Sequence, residues 1–272
     1  MQLDPETHQM TAIVLAGDRT KADSLVNHSE ANAKAMIDID GLPMVRRVLN
    51  ALRSAKVVDK IFLAGPEEAA LNTDQPLADW VAKGEVNWRP PESSPSTSAY
   101  NAMRSLDESE SVLLTTADHP LLTPEMVNAF GRQSLADDVD VTVGLAPHAL
   151  VTEAYPGIRK TVLRFSDGEF CGCNLFAFIT PEGRRAASFW RKIEQQRKKP
   201  WVVIGLLGWS AVIRYRLGLL SLEEALAKLS KRLGLRIRAV ILPYANAAID
   251  VDSISDLMLV KGSLEKAAAQ DA

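Results

Sequence analysis

The chain has 272 residues and a mass of 29.7 kDa, which is enough to bury a full core, and an α/β sheet of this length is commonly one domain. Hydrophobic residues make up 47% and charged residues 24%, as in ordinary globular proteins, and no repeat or low-complexity tract is present. The net charge of −3 identifies no partner, and the polar first ten residues lack the apolar core of a signal peptide.

Short apolar runs alternate with helical patterns over the first 145 residues. The first strand is expected at residues 11–16, ending at Gly17. Further strands are expected at 61–64, 86–89, 112–116 and 139–145, and helices at 44–55, at 100–106 and from 124, where Thr123 supplies a capping hydroxyl. Residues 90–98 form a Pro/Ser-rich turn. This alternation predicts a doubly wound, mostly parallel sheet in three layers.

The second half of the chain differs in character. Strands are expected at 161–165 and 173–178, and residues 181–233 have a helical pattern throughout. Ser221 and Glu224 form a predicted capping box, and Gly234 a stop signal. Strand character returns at 236–242 and 248–251, followed by a last helix from about 255. We therefore predict a single domain over 1–272 with a helical insertion at 181–235.

The insertion region is strongly basic. Residues 181–240 contain 14 Lys or Arg and 4 Glu, a net charge of +10, which leaves −13 for the rest of the chain. Such asymmetry suggests contact with something anionic. Residues 201–213 are uncharged and apolar almost all round a helix, yet too short to span a bilayer. A buried core or homodimer interface is the commoner explanation. The alternative is peripheral contact with an anionic membrane, or a pocket for an amphiphilic acceptor, flanked by Lys198, Lys199, Arg214 and Arg216.

Three predicted strand ends carry polar chemistry, and ligands of open parallel sheets bind beyond the carboxyl ends of the strands. The segments are 15–19 (LAGDR), 117–120 (ADHP) and 251–253 (VDS). The first could cradle phosphate oxygens with backbone amides at a glycine turn. It has neither the Gly-rich dinucleotide fingerprint nor the Lys-Ser/Thr ending of a P-loop.

Four ordered segments together resemble the MobA-like nucleotidyltransferases. They are 15–17 (LAG), 34–44 (KAMIDIDGLPM), 116–125 (TADHPLLTPE) and 250–257 (DVDSISDL). The resemblance covers nearly all of the chain outside the helical insertion and is specific for the superfamily, without identifying a substrate. It implies a glycosyltransferase-A-like (Rossmann-like) fold and transfer of a nucleotidyl group from an NTP to a phosphorylated small molecule, with release of pyrophosphate.

The resemblance also implies roles for particular residues. Asp118 and Asp252 would hold Mg²⁺, which prefers hard oxygen ligands and often takes only one or two protein carboxylates. Lys34 would contact the triphosphate, with Arg19 or Lys21 as a second cation, and catalysis would depend on Lys34, Arg19 and Asp118. The remaining implied contacts are Leu15, Ala16, Gly17 and Asp18 to the nucleotide, Ser96 and Ser98 to the base and ribose, and Gly172 and Asn174 to the acceptor.

The implied NTP is CTP or GTP, and no nucleic-acid partner is expected. Asp18 stands where the family usually has a second glycine, which leaves the phosphate contacts of this loop open. Because an extra carboxylate beside a triphosphate is unfavourable unless neutralised, a non-catalytic nucleotide sensor is one alternative function. A nucleotide-sugar-dependent glycosyltransferase is another, although Ala117-Asp118-His119 lacks the first acid of an Asp-x-Asp motif.

Each candidate residue also has a structural explanation. Asp118 and Asp252 could simply cap the helices that follow them, and Asp250 competes with Asp252 as a metal ligand. Lys34 could be a solvated surface lysine, and His119, beside a proline in a turn, is more often structural than a base. Cys171 and Cys173 are too close for a disulfide framework and too few for a zinc site, so we expect a reducing, cytoplasmic location.

Overall fold

The computed structural model describes residues 7–18, 24–27, 29, 31–136, 138–195 and 208–270. Its main feature is an eight-stranded mixed sheet. The described residues form ten strands, eight of which belong to this sheet. They are β1 (Met10–Leu15), β2 (Asp38–Ile39), β3 (Leu42–Pro43), β4 (Val58–Ala64), β5 (Asn87–Arg89), β6 (Val112–Thr116), β7 (Val141–Pro147), β8 (Val162–Phe165), β9 (Gly168–Phe178) and β10 (Ile237–Ile241). The strands β2 and β3 form a separate two-stranded hairpin.

Helices connect these strands. They are α1 (Ser24–Asn27), α2 (Met44–Ser54), α3 (Glu68–Leu71), α4 (Gln75–Ala82), α5 (Pro95–Arg104), α6 (Pro124–Ala136), α7 (His148–Ala154), α8 (Pro181–Gln195), α9 (Trp209–Arg216), α10 (Leu222–Leu233) and α11 (Ile254–Gln270). Short 3₁₀ helices occupy Lys34–Met36 and Ala245–Ala248. Within the described residues no helix is long and apolar enough to cross a membrane.

The main sheet has the order β10-β7-β9-β6-β1-β4-β5, with β8 paired to β9. The pairs β1–β4, β1–β6, β4–β5 and β7–β10 are parallel, whereas β9 is antiparallel to each of its partners. The side chains of β1 are buried on both faces, as expected for a central parallel strand covered by helices on each side. The predicted mostly parallel sheet is confirmed.

The helices cover both faces of the sheet. Alternate side chains of β1 enter different clusters, Ala12 and Val14 one and Ile13 and Leu15 the other. The first cluster also holds the buried hydrophobic residues of α2 and α6, and the second holds those of α5 together with Ala187 of α8. The sheet is therefore the middle of three layers, as the sequence predicts.

Two local predictions are wrong. Residues 248–251 were expected to form a strand, but Ala245–Ala248 is a 3₁₀ helix and 249–251 have no regular structure. The expected turn at 90–98 ends early, because α5 begins at Pro95 with Ser94 as its cap. The side chain of Ser94 accepts a hydrogen bond from the backbone N–H of Thr97, and proline fits the first helical position.

Within its described residues, the region predicted as a helical insertion contains the helices α8, α9 and α10. α8 packs against α5, the capping box of Ser221 and Glu224 opens α10, and Gly234 ends α10 in a left-handed conformation at φ 66°. Residues 217–221 interrupt the predicted continuous helix. The chain then returns to the sheet, where β10 pairs with β7. Much of the apolar run 201–213, with Lys198 and Lys199, lies outside the described residues.

Candidate functional site

Sheet topology places Asp118 beside the loop that follows β1. Leu15, the last residue of β1, is in register with Thr116, the last residue of β6. The backbone N–H of Ala117 then donates to the carbonyl oxygen of Leu15 at 2.9 Å. The next residue is Asp118, whose side chain is 24% exposed. The two strand ends therefore form one edge, as expected for ligand sites of parallel sheets.

A backbone hydrogen bond brings the third polar segment to the same edge. The N–H of Val251 donates to the carbonyl oxygen of Asp118 at 2.8 Å, and the side chain of Val251 is fully buried. This contact fixes Val251 and thereby the positions of its two neighbours, Asp250 and Asp252. The Asp252 side chain is 69% exposed, so it projects into solvent next to Asp118.

Lys34 joins these two carboxylates. Its Nζ lies 2.9 Å from Oδ2 of Asp118 and 2.8 Å from Oδ1 of Asp252, while its side chain is only 18% exposed. Burial of the Lys34 ammonium opposes its charge, but the two carboxylates outweigh this effect and raise the pKa of Lys34 above its ordinary value. A solvated surface lysine is therefore the wrong description of Lys34.

Asp18 fixes the backbone of Lys34. Its Oδ1 accepts a hydrogen bond from the Lys34 backbone N–H at 3.1 Å, at the start of the 3₁₀ helix. Asp18, which stands where the family usually has a glycine, thus holds the segment that carries Lys34. Gly17, just before it, is closely covered, because a Cβ there would come within 2.9 Å of the Pro91 Cβ.

The Asp118 carboxyl is ionised and only partly paired. Its burial favours the neutral form, but the nearby Lys34 ammonium outweighs this and lowers the pKa of Asp118 below its ordinary value. Its Oδ1 is buried and has no hydrogen-bond partner, which is unusual for a charged oxygen. This oxygen is available to a cation.

A metal at this edge would have two protein carboxylates. No cluster of three or more His, Cys, Asp or Glu suited to a metal ion occurs among the described residues. The carboxylates of Asp118 and Asp252, bound to one ammonium and including one unpartnered oxygen, nevertheless provide the hard oxygen donors that Mg²⁺ takes in small numbers from proteins. The donor set therefore fits Mg²⁺.

The predicted nucleotide contacts have different surroundings. Leu15 and Ala16 are buried, and Gly17 is partly exposed at the open edge. Ser96 and Ser98 lie in α5, and their side chains are buried. The Ser96 hydroxyl lies 3.1 Å from that of Ser94, and the Ser98 hydroxyl accepts from the Glu92 N–H at 3.1 Å. Arg19 and Lys21 lie outside the described residues.

The predicted acceptor residues lie on β9, on the other side of β6 from β1. Gly172 is exposed, and nothing lies within 4 Å of a Cβ built on it. Asn174 sits at a register irregularity between β7 and β9, with a left-handed φ of 49° that asparagine tolerates better than most residues. Its Nδ2 donates to Oδ2 of Asp250 at 2.9 Å.

Lys160 is a site residue that the sequence analysis missed. It precedes β8, its side chain is 13% exposed, and its Nζ forms an ion pair with Oδ1 of Asp250. A lysine beside an arginine before a strand has no distinguishing pattern, so only the folded arrangement reveals it. The sequence also suggests Asp250 as an alternative metal ligand. Its carboxylate instead pairs with Lys160 and accepts a hydrogen bond from Asn174.

His119, Cys171 and Cys173 have structural surroundings. The His119 ring is buried, with Nε2 3.1 Å from the carbonyl oxygen of Asn246, and burial lowers the pKa of His119 to about 4. Both cysteines are free and buried, and burial raises the pKa of Cys173 to about 12. None of these three side chains has the character of a general base or an activated thiol at neutral pH.

Taken with the three-layer sheet, this edge defines a nucleotide-binding α/β enzyme of the glycosyltransferase-A-like kind. The model of the MobA-like NTP transferase domain matches residues 12–164, and the chain belongs to this family of nucleotidyltransferases. The matched part includes Lys34 and Asp118 and ends before β9 and the predicted helical insertion. No functionally curated protein is significantly similar in sequence.

Solved structures share the fold over almost the whole chain. A hypothetical transferase from Thermus thermophilus is 27% identical with a TM-score of 0.76, and the similarity covers 92% of this chain and 99% of that one. A 4-diphosphocytidyl-2C-methyl-D-erythritol synthase from Anaerococcus prevotii is 12% identical, with a TM-score of 0.54 and coverage of 95% and 96%. A CMP:2-keto-3-deoxy-manno-octonic acid synthetase complexed with CTP is 14% identical, with a TM-score of 0.58 and coverage of 95% and 99%.

Proposed function

We propose that this chain is a Mg²⁺-dependent nucleotidyltransferase that transfers NMP from CTP or GTP to a phosphorylated small molecule and releases pyrophosphate. The observation that carries the proposal is the Lys34 ammonium held between the carboxylates of Asp118 and Asp252, next to the Gly17 loop. Cationic and metal-binding groups thereby meet at the edge of the sheet where phosphates bind. The complex of a structural neighbour with CTP makes CTP a reasonable first substrate to test.

The chemistry requires such a site. When an acceptor oxygen attacks the α-phosphorus, negative charge builds up on the α-phosphate and on the leaving pyrophosphate, so fixed positive charge matters more than a proton shuttle. Lys34 contacts the triphosphate, and the Gly17 loop offers backbone amides to it. Asp118 and Asp252 would hold Mg²⁺, which supplies charge neutralisation and orientation of the phosphates when bound.

Asn174 and Gly172 border the acceptor in this proposal. Both lie on β9, and the space at Gly172 is open. Leu15 and Ala16 support the phosphate loop from the buried end of β1, and Ser96 and Ser98 help to place the base and ribose through the loop at 91–94, with which their hydroxyls form hydrogen bonds. The basic region 181–235 remains a proposed surface for a dimer partner or an anionic membrane.

The test is a coupled pyrophosphate assay with each NTP, Mg²⁺ and a panel of phosphomonoesters. We expect release that depends on the acceptor and on Mg²⁺ in the wild type. Asp118→Asn should lower the turnover about 10²–10³-fold, the range found when one electrostatic contact to a transition state is removed. The exposed Asp59 on β4 provides the control Asp59→Asn. Nucleotide binding without pyrophosphate release from any acceptor would favour the sensor function instead.

A further inference from the structure

Helix α9 exposes apolar side chains on its outer face. Trp209, Ile213 and Leu217 follow one another at four-residue intervals, so they share one face, and they are 61%, 55% and 65% exposed. Leu219, just after the helix, is also exposed. These four residues, which we call the α9 surface, are four of the seven large hydrophobic side chains exposed among the described residues. Single exposed hydrophobic residues are ordinary, whereas a group of them indicates an interaction surface.

The opposite face of α9 packs against the sheet. Ala211 is buried, and the ring of Tyr215 meets that of Phe165 of β8 edge to face, with the ring centroids 5.5 Å apart. The Tyr215 hydroxyl also accepts a hydrogen bond from the backbone N–H of Arg164 at 3.2 Å. The helix is therefore attached to the protein through Ala211 and Tyr215, and the α9 surface is directed outward.

This attachment lies at the end of the sheet that carries the candidate site. The strands β6 and β7 both run antiparallel to β9, so their carboxyl ends lie at the same edge. Phe170 pairs with Pro147, the last residue of β7, and the turn between β8 and β9 therefore extends beyond that edge. The N–H of Ser166 in this turn donates to the carbonyl oxygen of Leu220 at 2.9 Å, which fixes the segment after α9 to the same end.

Positive charge accompanies the α9 surface. Residues 209–233, which comprise α9, α10 and their connection, contain five Lys or Arg and two Glu, a net charge of +3. An ion pair between Arg214 and Glu224 at 2.8 Å links the two helices. Arg216, at the end of α9, is exposed. The surface thus combines apolar side chains with an excess of cations.

This charge favours an anionic surface over a second copy of the chain. In a twofold dimer the same patch of each copy meets its counterpart, so the cations of α9 and α10 would come near the same cations of the other copy. A bilayer with anionic lipids instead attracts each Lys or Arg near its surface. Tryptophan and aliphatic side chains beside arginine are also the composition of helices that lie in the membrane interface.

We propose that the α9 surface binds an anionic lipid bilayer. Trp209, Ile213 and Leu217 enter the headgroup region, and Arg216 contacts the lipid phosphates. The eight residues of α9 span about 12 Å, which is too short to cross a bilayer, so the helix lies in the plane of the interface. This inference goes beyond the proposed function and does not rest on it, since neither nucleotide nor Mg²⁺ takes part.

Co-sedimentation with vesicles tests the proposal. The full chain is mixed with vesicles of phosphatidylcholine alone, or of equal amounts of phosphatidylcholine and phosphatidylglycerol, without nucleotide. We expect it to sediment with the anionic vesicles and much less with phosphatidylcholine alone. Added NaCl should weaken the binding, because salt screens the attraction between the arginines and the lipid phosphates. A chain that does not sediment with the anionic vesicles would overturn the proposal.

Variants separate the apolar and the charged contributions. The double variant Ile213→Asn, Leu217→Asn should lower the partition coefficient on anionic vesicles about tenfold or more, because two apolar side chains no longer leave water. Met258→Asn on α11 is the matched control, since Met258 is equally exposed elsewhere. Arg216→Gln should lower the partition coefficient about fivefold, as expected for one cation near an anionic surface. Its control is Lys83→Gln, an exposed lysine after α4.

These comparisons have definite contrary outcomes. If the double asparagine variant binds as tightly as the wild type, or Met258→Asn loses as much binding, the α9 surface is not the membrane contact and the proposal is wrong. Thermal unfolding checks that the variants are folded, and Arg216→Gln keeps the test valid if the double variant is not.

A second copy as the occupant of the α9 surface gives a different result. Light scattering would then show a dimer that the double asparagine variant loses, and the wild type would not sediment with vesicles; this outcome contradicts the proposal. Pyrophosphate release in solution should be equal in the double variant and the wild type, because Ile213 and Leu217 are not part of the candidate site. Failure of membrane binding is therefore distinguishable from failure of the proposed function.

Discussion

The Lys34 ammonium lies 2.9 Å from Oδ2 of Asp118, while Oδ1 of the same carboxylate is buried without a hydrogen-bond partner. One oxygen of the proposed metal ligand is thus neutralised by a lysine, and the other is buried without a donor to neutralise it. Since Lys34 also contacts Asp252 at 2.8 Å, its ammonium lies where the two proposed metal ligands converge. Lysine and metal therefore compete for the same carboxylates.

This competition predicts the metal affinity of a Lys34 variant. In the absence of nucleotide, Lys34→Gln should bind Mn²⁺ about tenfold or more tightly than the wild type, because a difference of about 1.4 kcal/mol gives a factor of ten. Electron paramagnetic resonance of free Mn²⁺ measures the affinity. Lys34→Arg is the matched control, since it retains the positive charge. Equal affinities in the glutamine variant and the wild type would refute the competition.

Gly172 provides a steric test of the acceptor side. Because nothing lies within 4 Å of a Cβ at this position in β9, Gly172→Val should change the free energy of unfolding by no more than about 0.5 kcal/mol. Nucleotide binding should be retained, while turnover with phosphomonoester acceptors falls, less so for Gly172→Ala. Urea unfolding, nucleotide titration and pyrophosphate release measure the three effects. Unchanged turnover in the valine variant would place the acceptor elsewhere.

His119 should make the stability depend on pH. Burial lowers its pKa from 6.5 to about 4, so below pH 6.5 the unfolded chain takes up a proton that the folded protein does not. The stability from this residue is therefore complete above pH 6.5 and is lost as the pH falls towards 4, by up to about 3 kcal/mol. Urea unfolding between pH 7 and pH 4.5 measures this loss.

The control for the histidine prediction is His119→Gln, whose side-chain amide can still donate to Asn246. Its stability should fall less steeply over the same pH range. Direct titration of the His119 ring by NMR is an independent measurement, and a ring pKa near 6.5 would contradict the prediction.

The ion pair between Arg236 and Asp140 should stabilise the pairing of β10 with β7. It donates to Oδ1 of the buried Asp140 at 2.8 Å, and these hydrogen bonds outweigh burial to lower the pKa of Asp140 to about 2. Arg236→Met should lower the free energy of unfolding at pH 7 by about 2 kcal/mol, the range for a hydrogen bond to a charged group. Urea unfolding measures the change, and Lys231→Met on the exposed surface of α10 is the control.

The pH dependence of that pair has a definite sign. Because the pKa of Asp140 is lowered, its contribution is present above about pH 4 and is lost as the pH falls towards 2. The difference between the wild type and Arg236→Met should therefore shrink on acidification. A difference that is constant from pH 7 to pH 3 would show that the ion pair is not responsible.

Local signals in the sequence predicted the elements whose residues interact with near neighbours. The capping box of Ser221 and Glu224 and the stop at Gly234 form as expected, because their contacts lie within one helical turn. The buried strand β1 follows equally well from its apolar run. The prediction of a strand at 248–251 was wrong. An apolar run indicates burial, and here the buried run has 3₁₀ and irregular backbone instead of a strand.

The sequence by itself determined the class of enzyme, through the family motifs around Lys34 and Asp118, and it also predicted the mostly parallel sheet. Only the tertiary structure decided that Lys34 connects the two aspartates, that Asp18 holds the Lys34 backbone, and that Lys160 occupies Asp250. These contacts join residues that are far apart in the chain. Their distances depend on strand order and register, which no local pattern of residues encodes.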